Sequence, residues 1–178
     1  MKARRSKFGQ GRFLVFDVES IGLHGEAFAF GWAVLDKGVE LQSGSEACPP
    51  ALAKGTDADR AWCAANLPTL PATCSTPEML RRVFWRMWLY EKALGARLVA
   101  DCTWPVEARF LVACVMDDPE ERRWEGPYPL LDVASVRLGA GLDPLASGKR
   151  LARELPEHHP MGDTRQSARL FLEALGVR

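Results

Sequence analysis

The stretch FLVFDVESIGLHGEAFAFGWAV, residues 13–34, joins two apolar runs through a turn and carries two acids between them. The four large apolar residues at 13–16 predict a buried strand, and Asp17 and Glu19 follow where that strand should end. Two glycines then bracket a turn, and residues 26–35 predict a second strand. The stretch therefore predicts an antiparallel pair of strands with two carboxylates at one end.

Asp17 and Glu19 lie two positions apart, so on a strand both side chains project from the same face. Carboxylates in that arrangement repel each other, and a divalent cation removes the repulsion while both stay ionised. They could instead be solvent-facing polar residues, since 23 acids in 178 residues give about one D-x-E by chance. Their place at the end of an apolar strand favours a ligand site, because α/β sheets bind ligands there.

The rest of the chain predicts further strands that alternate with helices. These elements are, in order, a third strand at 38–43, a short helix at 57–67, a long helix from Pro77 to Gly95 capped by Thr76 or Ser75, a strand at 96–101, a helix from Pro105, a charged loop at 117–126, a strand leading into a short helix at 128–134, a loop at 139–148 and a final helix at 162–176. The order predicts an α/β fold in which antiparallel N-terminal strands join parallel strands in one mixed sheet flanked by helices.

Composition limits the class of protein. The 178 residues are 47% hydrophobic and 26% charged, which is typical of one globular domain, expected here over 12–178. Because the formal net charge is zero, binding of nucleic acid would need a local basic patch or bound cations. The basic residues near the N-terminus predict a flexible tail over 1–11 or, alternatively, a binding arm. They are Lys2, Arg4, Arg5, Lys7 and Arg12.

The five cysteines show no C-x-x-C spacing and are odd in number, which argues against a disulfide framework or a zinc site. The basic N-terminus is not followed by the apolar core of a signal peptide. No apolar run reaches the roughly 18 residues that a membrane span needs. We therefore expect a soluble, cytoplasmic protein without a membrane partner.

Two later segments place further acids beside strand or helix ends. In ADCTWPVEARFL, residues 100–111, Asp101 ends a predicted strand and Glu107 lies in the first turn of the next helix. Asp101 could satisfy loop amides and Glu107 could favour the helix dipole, or either could complete a metal site. In HHPMGDTRQSARLF, residues 158–171, His158 precedes Asp163 by five positions. Asp163 alone could be a helix cap.

Taken together and in this order, the three segments resemble the DEDDh 3′–5′ exonucleases, the proofreading and ribonuclease-T-like branch of the ribonuclease H-like superfamily. The resemblance extends from about Phe13 to Leu175. The first and last segments are similar to the family's opening hairpin and closing motif. The middle segment departs, because the family has asparagine, three residues and aspartate, where this chain has Thr103 and Glu107. The middle acid is therefore Asp101 or Glu107, with Asp101 favoured by its residue type.

The resemblance implies two divalent cations, Mg²⁺ or Mn²⁺, held by Asp17, Glu19, Asp163 and the middle acid, with Asp17 bridging. It implies His158 as general base, ahead of its neighbour His159. It also implies hydrolysis of phosphodiester bonds at single-stranded DNA or RNA 3′ ends, and pairing into a homodimer, which members of the family often show. Three residues near the motifs are candidates to contact the terminal bases: Leu23, Phe28 and Trp104. The alternatives are a phosphodiesterase acting on short oligonucleotides and a non-catalytic ribonuclease H-like module that binds nucleic acid.

Overall fold

The computed structural model describes residues 11–146 and 148–177, so the predicted basic tail lies outside the described residues except for Gly11. The described residues form one mixed sheet of five strands with α-helices packed against it. The elements are β1 Arg12–Ser20, β2 Ala27–Asp36, β3 Val39–Ala47, α1 Asp57–Asn66, α2 Pro77–Ala93, β4 Arg97–Ala100, α3 Ala108–Met116, α4 Pro119–Arg122, β5 Leu131–Asp132, α5 Val133–Gly139 and α6 Pro160–Ala174.

The strand order is β3-β2-β1-β4-β5. β1 pairs antiparallel with β2, and β2 pairs antiparallel with β3. On its other edge β1 pairs in parallel with β4, and β4 pairs in parallel with β5. The predicted mixed α/β sheet, antiparallel at its N-terminal side and parallel beyond β1, is confirmed. β1 lies at the centre of the sheet, and Asp17 and Glu19 lie near its end.

The apolar run of β1 is continuous because both faces of the sheet are covered. Leu14 and Phe16 point into a core shared with α2, where the ring of Phe16 lies 5.1 Å from that of Phe84. Phe13 and Val15 point into the opposite core, where the ring of Phe13 lies 4.9 Å from that of Phe171 on α6. A strand buried on both faces reads as an unbroken hydrophobic sequence, as it does here.

A glycine in β2 sets the position of α6. Gly31 is paired with Asp17 across the β1–β2 ladder, and a Cβ at Gly31 would lie 2.0 Å from the carbonyl oxygen of Pro160. Because backbone atoms cannot approach a side chain so closely, only glycine lets the first turn of α6 rest on the sheet here. That close approach brings Asp163 next to Asp17.

The structure differs from the sequence prediction at two helix starts. The helix expected from Pro105 begins later: Thr103–Glu107 forms a wide π-type turn with an extended Trp104, and regular α-helix follows from Ala108. The last helix begins at Pro160, before the predicted Gly162. In the loop predicted at 117–126, a short helix is present, α4.

Two other predictions concern the chain as a whole. None of the five cysteines is in a disulfide, as their spacing predicted. In the part of the chain that the structure describes, we find no helix with the length and apolar character to cross a membrane.

Candidate metal centre

Three carboxylates meet at the end of β1. Asp17 and Glu19 project from the strand, and Asp163 comes from the first turn of α6. One carboxylate oxygen from each lies within 4.8 Å of the other two, so the three form a group that could hold a metal ion. Two segments far apart in sequence, each singled out by its spacing, thus supply one set of oxygen ligands.

The two candidates for the middle acid both lie beside this group. Asp101 follows β4 and lies near Ser167, whose hydroxyl donates to the Asp163 carbonyl oxygen at 2.9 Å. Glu107, at the start of α3, is buried and accepts from its own backbone N–H and from that of Val18. Glu107 therefore ties α3 to the β1 residue that lies between Asp17 and Glu19. We call the five carboxylates the acid cluster: Asp17, Glu19, Asp101, Glu107 and Asp163.

Burial and mutual repulsion raise the pKa values in the acid cluster. Burial raises the pKa of Asp17 well above its ordinary value, and repulsion from the other four carboxylates raises it further, with Glu19 the strongest. Burial and then repulsion from Asp163 and Glu107 raise the pKa of Glu19 to about 8. Burial and, to a smaller extent, repulsion from Asp101 raise the pKa of Glu107 to about 7, although backbone hydrogen bonds to its carboxylate act to lower it. Such a group keeps all of its charges only when cations are added.

One arginine contacts the acid cluster. Nη1 of Arg150 donates a hydrogen bond to the Asp163 carboxylate, and Arg150 is the only basic residue among those described that forms an ion pair with any of the five. Burial still outweighs this contact, so the pKa of Asp163 remains raised. One guanidinium against five carboxylates leaves the cluster short of positive charge.

The two histidines differ in what they contact. Nδ1 of His159 accepts a hydrogen bond of 3.2 Å from the backbone N–H of Met161, so His159 caps α6. His158 is exposed and adopts a positive φ of 57°. Its backbone N–H donates to the Asp163 carboxylate, and its ring meets that of Trp62 edge-on at 5.7 Å. The imidazole of His158 is therefore the freer of the two to take a proton.

The three residues proposed from sequence to contact bases are placed differently. Leu23 is 64% exposed and Trp104 is 75% exposed, so both present apolar surface near the cluster. Phe28 is 3% exposed and belongs to the core. It also lines a cavity of about 440 Å³ together with Ile21 and Cys63. Contact of Phe28 with a base stays a prediction.

A cavity of about 380 Å³ is lined by residues of the β1–β2 turn, α2 and α3. Its lining includes Ser20 and Val106, the sequence neighbours of Glu19 and Glu107. His24, Lys54 and Arg109 also line it. The Lys54 backbone N–H donates to the Glu26 carboxylate at 2.9 Å, but among the described residues no hydrogen bond or ion pair involves the side chains of these three. Arg81 at its base is fully paired with two acids. The cavity thus offers three basic side chains without an ion-pair partner among the described residues, and its lining includes sequence neighbours of two cluster acids.

No protein-family model matches the chain, and no curated protein matches it. The geometry of the acid cluster therefore carries the functional argument.

Sequence reasoning missed several residues that support the site. Asp132, at the end of β5, accepts hydrogen bonds from the backbone N–H and the hydroxyl of Thr103, at 2.9 and 3.0 Å, and so holds the turn that separates Asp101 from Glu107. Ser167 could have been found, because it lies one helical turn after Asp163 and on the same face. Arg150 lies in irregular structure, where no spacing rule predicts its contact.

Proposed function

We propose that this protein is a metal-dependent 3′–5′ exonuclease that hydrolyses phosphodiester bonds at the 3′ ends of single-stranded DNA or RNA. The observation that carries the proposal is the meeting of Asp17, Glu19 and Asp163 within 4.8 Å. Asp101 and Glu107 lie close enough to repel Asp17, and the cluster has one arginine partner in the described chain. The five-stranded mixed sheet supports the ribonuclease H-like architecture that the sequence resembles.

The residues fit Mg²⁺ or Mn²⁺. The triad offers carboxylate oxygens only, the ligand type that these hard cations prefer over thiolate or imidazole. Asp17, Glu19 and Asp163 would hold one cation, and Asp17 with Asp101 or Glu107 would hold the second. When bound, two such cations activate water and stabilise the charge that develops on the leaving oxygen.

The protein's own groups then have distinct tasks. A ring nitrogen of His158 accepts the proton of the attacking water, a role that imidazole groups commonly fill in hydrolysis. The new bond joins the water oxygen to phosphorus, and the bond from phosphorus to the 3′-oxygen of the preceding nucleotide breaks. The products are a nucleoside 5′-monophosphate and a strand with a free 3′-hydroxyl. His159 is not assigned this role, because its Nδ1 caps α6.

The cavity supports a phosphate-rich polymer as substrate. Its unpaired His24, Lys54 and Arg109 supply the local positive charge that a chain of zero net charge needs to attract a polyanion. Exposed Leu23 could wedge against a terminal base, and exposed Trp104 offers a ring on which a base could stack. The unpaired cysteines support a reducing compartment, and we propose the cytoplasm.

The test is incubation of the protein with 5′-labelled single-stranded DNA, RNA and dinucleotides in Mg²⁺, Mn²⁺ or EDTA. We expect a ladder that shortens from the 3′ end in either metal and no product in EDTA. Cleavage of dinucleotides alone would favour the short-oligonucleotide phosphodiesterase. Binding without metal-dependent cleavage would favour the non-catalytic module. Asp17→Asn should be inactive, and Glu120→Gln, an exposed acid on α4, is the matched control.

A further inference from the structure

Arg150 is held at the acid cluster by three partners. Its Nη1 donates to the Asp163 carboxylate and to the carbonyl oxygen of Glu154 at 3.0 Å. Its Nε lies 3.4 Å from the Glu157 carboxylate, which is itself 67% exposed. The Arg150 side chain is 18% exposed, so the guanidinium is largely enclosed and yet open on one side. The Arg150 guanidinium therefore places a positive charge at the acid cluster in the metal-free protein.

A guanidinium and a divalent cation compete for the same carboxylate. Asp163 belongs to the triad whose oxygens could hold an ion, and it is also the acid to which Arg150 donates. Two positive charges a few ångströms apart in a partly buried site repel strongly, because little water lies between them. Binding of a metal at the triad should therefore weaken or break the Arg150–Asp163 contact.

The displaced guanidinium would still have a binding partner when a substrate is present. The contact with the Glu154 carbonyl does not involve the cluster and keeps Arg150 near it. A guanidinium fork fits phosphate oxygens as well as it fits a carboxylate. A strand whose terminal phosphodiester bond lies at the acid cluster would present such oxygens.

We propose that Arg150 is a displaceable internal counterion: it bonds Asp163 in the metal-free protein, yields that carboxylate to the metal, and then binds a phosphate oxygen of the nucleic-acid strand. The proposal rests on the function proposed above, because it needs both the metal and the phosphodiester substrate. It assigns Arg150 two effects of opposite sign, weaker metal binding and tighter substrate binding. A residue that merely supports Asp163 would not have both.

The experiment compares the wild-type chain with Arg150→Gln and Arg150→Lys. Calorimetric titration with Mn²⁺, without substrate, should show Arg150→Gln binding the metal at least about fivefold more tightly, since competition is removed. The KM for a single-stranded oligonucleotide should rise about tenfold or more in the same variant, since a charged hydrogen bond is lost. Arg150→Lys keeps the charge without the fork, so its metal affinity should stay near wild type while its KM rises.

Arg153→Gln is the matched control, because it removes an exposed arginine three positions away and should change neither quantity. Circular dichroism and thermal unfolding establish that each variant folds, and Arg150→Lys carries the test if Arg150→Gln does not. Metal binding by Arg150→Gln that equals or falls below wild type would overturn the proposal, as would an unchanged KM. If the wild-type chain binds no metal at all, the proposed function fails as well, which separates the two results.

Discussion

Two clusters of buried charge in this protein differ in how they are balanced. Arg81 on α2 is 6% exposed, and it pairs bidentately with Asp117 at 2.8 and 2.9 Å and with Glu26 at 2.8 Å. The acid cluster brings together five carboxylates with one arginine partner among the described residues. In the first cluster the arginine has acidic partners on both sides, whereas the second cluster needs added positive charge to keep all five carboxylates ionised.

Charge balance distinguishes a structural ion cluster from a candidate functional one. In the Arg81 cluster each buried charge has a counterion with hydrogen-bonding geometry, so the charges stabilise the fold only as a set. In the acid cluster the pKa values of Asp17 and Glu19 are raised, so ionisation of these two carboxylates destabilises the folded state. Unbalanced buried charge of this kind is typical of active sites.

The largest effect is expected at Asp17. Asp17→Asn should lower metal-dependent cleavage at least about 100-fold, since even outer-shell partners of a metal contribute about 10- to 100-fold. The same variant should be at least as stable as wild type at pH 8 without metal, because the amide removes a negative charge that four others repel. Initial cleavage rates and thermal unfolding in EDTA measure the two effects. A loss of stability in EDTA would mean that Asp17 is a structural residue.

His158 should have the next largest effect. His158→Ala should reduce the cleavage rate about 10²- to 10⁴-fold, the usual contribution of a general base, while Mn²⁺ still binds. His159→Ala removes the α6 cap and should instead lower stability by about 0.5–2 kcal/mol. Single-turnover cleavage rates and denaturant unfolding of the two variants provide the comparison. Equal losses of rate in the two variants would contradict the assignment of His158.

The Arg81 cluster should be destabilised by removal of its positive charge. Arg81→Ala removes the buried guanidinium that the partly exposed carboxylates of Glu26 and Asp117 share, and we expect it to destabilise the fold by about 1.5–3 kcal/mol. Arg86→Ala, an exposed position on the same helix, should fall within about 0.5 kcal/mol of wild type. Urea unfolding monitored by tryptophan fluorescence measures both. A small effect at Arg81 would remove the contrast between the two clusters.

A smaller effect is expected from pH. The folded-state pKa values of Glu19 and Glu107 are raised to about 8 and about 7, so the folded chain holds more protons than the unfolded chain between pH 5 and 8, roughly. The free energy of unfolding in EDTA should therefore fall as pH rises through this range. Saturating Mg²⁺ should restore stability at pH 8 more than at pH 5, and Glu19→Gln should flatten the slope. Stability that rises from pH 5 to 8 in EDTA would contradict the raised pKa values.

The sequence predicted the sheet well because its signals are local. The apolar run before Asp17, the glycine turn and the Thr76–Pro77 helix start each depend on neighbouring residues, and the strands and long helix lie within a few positions of their predicted bounds. The helix predicted from Pro105 began later because the turn after β4 is held by Asp132, a contact 29 positions away in sequence. Local patterns cannot report such a partner.

The candidate site was predicted only in part, because some of its residues follow local sequence patterns and others do not. Asp17, Glu19 and Asp163 follow strand and helix ends, which spacing reveals, and the structure brings them together. Burial of Phe28 depends on which face of β2 meets the core, and a strand buried on both faces gives no alternation to read. Arg150 reaches Asp163 from irregular structure. Asp101 and Glu107 both belong to the acid cluster, so only a structure with bound metal can show which of them is the middle metal ligand.

We propose that the acid cluster holds two divalent cations, and anomalous scattering from crystals of the protein grown or soaked in Mn²⁺ would detect them. We expect two peaks about 4 Å apart. One should be ligated by Asp17, Glu19 and Asp163, and the other by Asp17 and whichever of Asp101 and Glu107 is the middle acid. Crystals in saturating Mn²⁺ that show no peak at these carboxylates would contradict it.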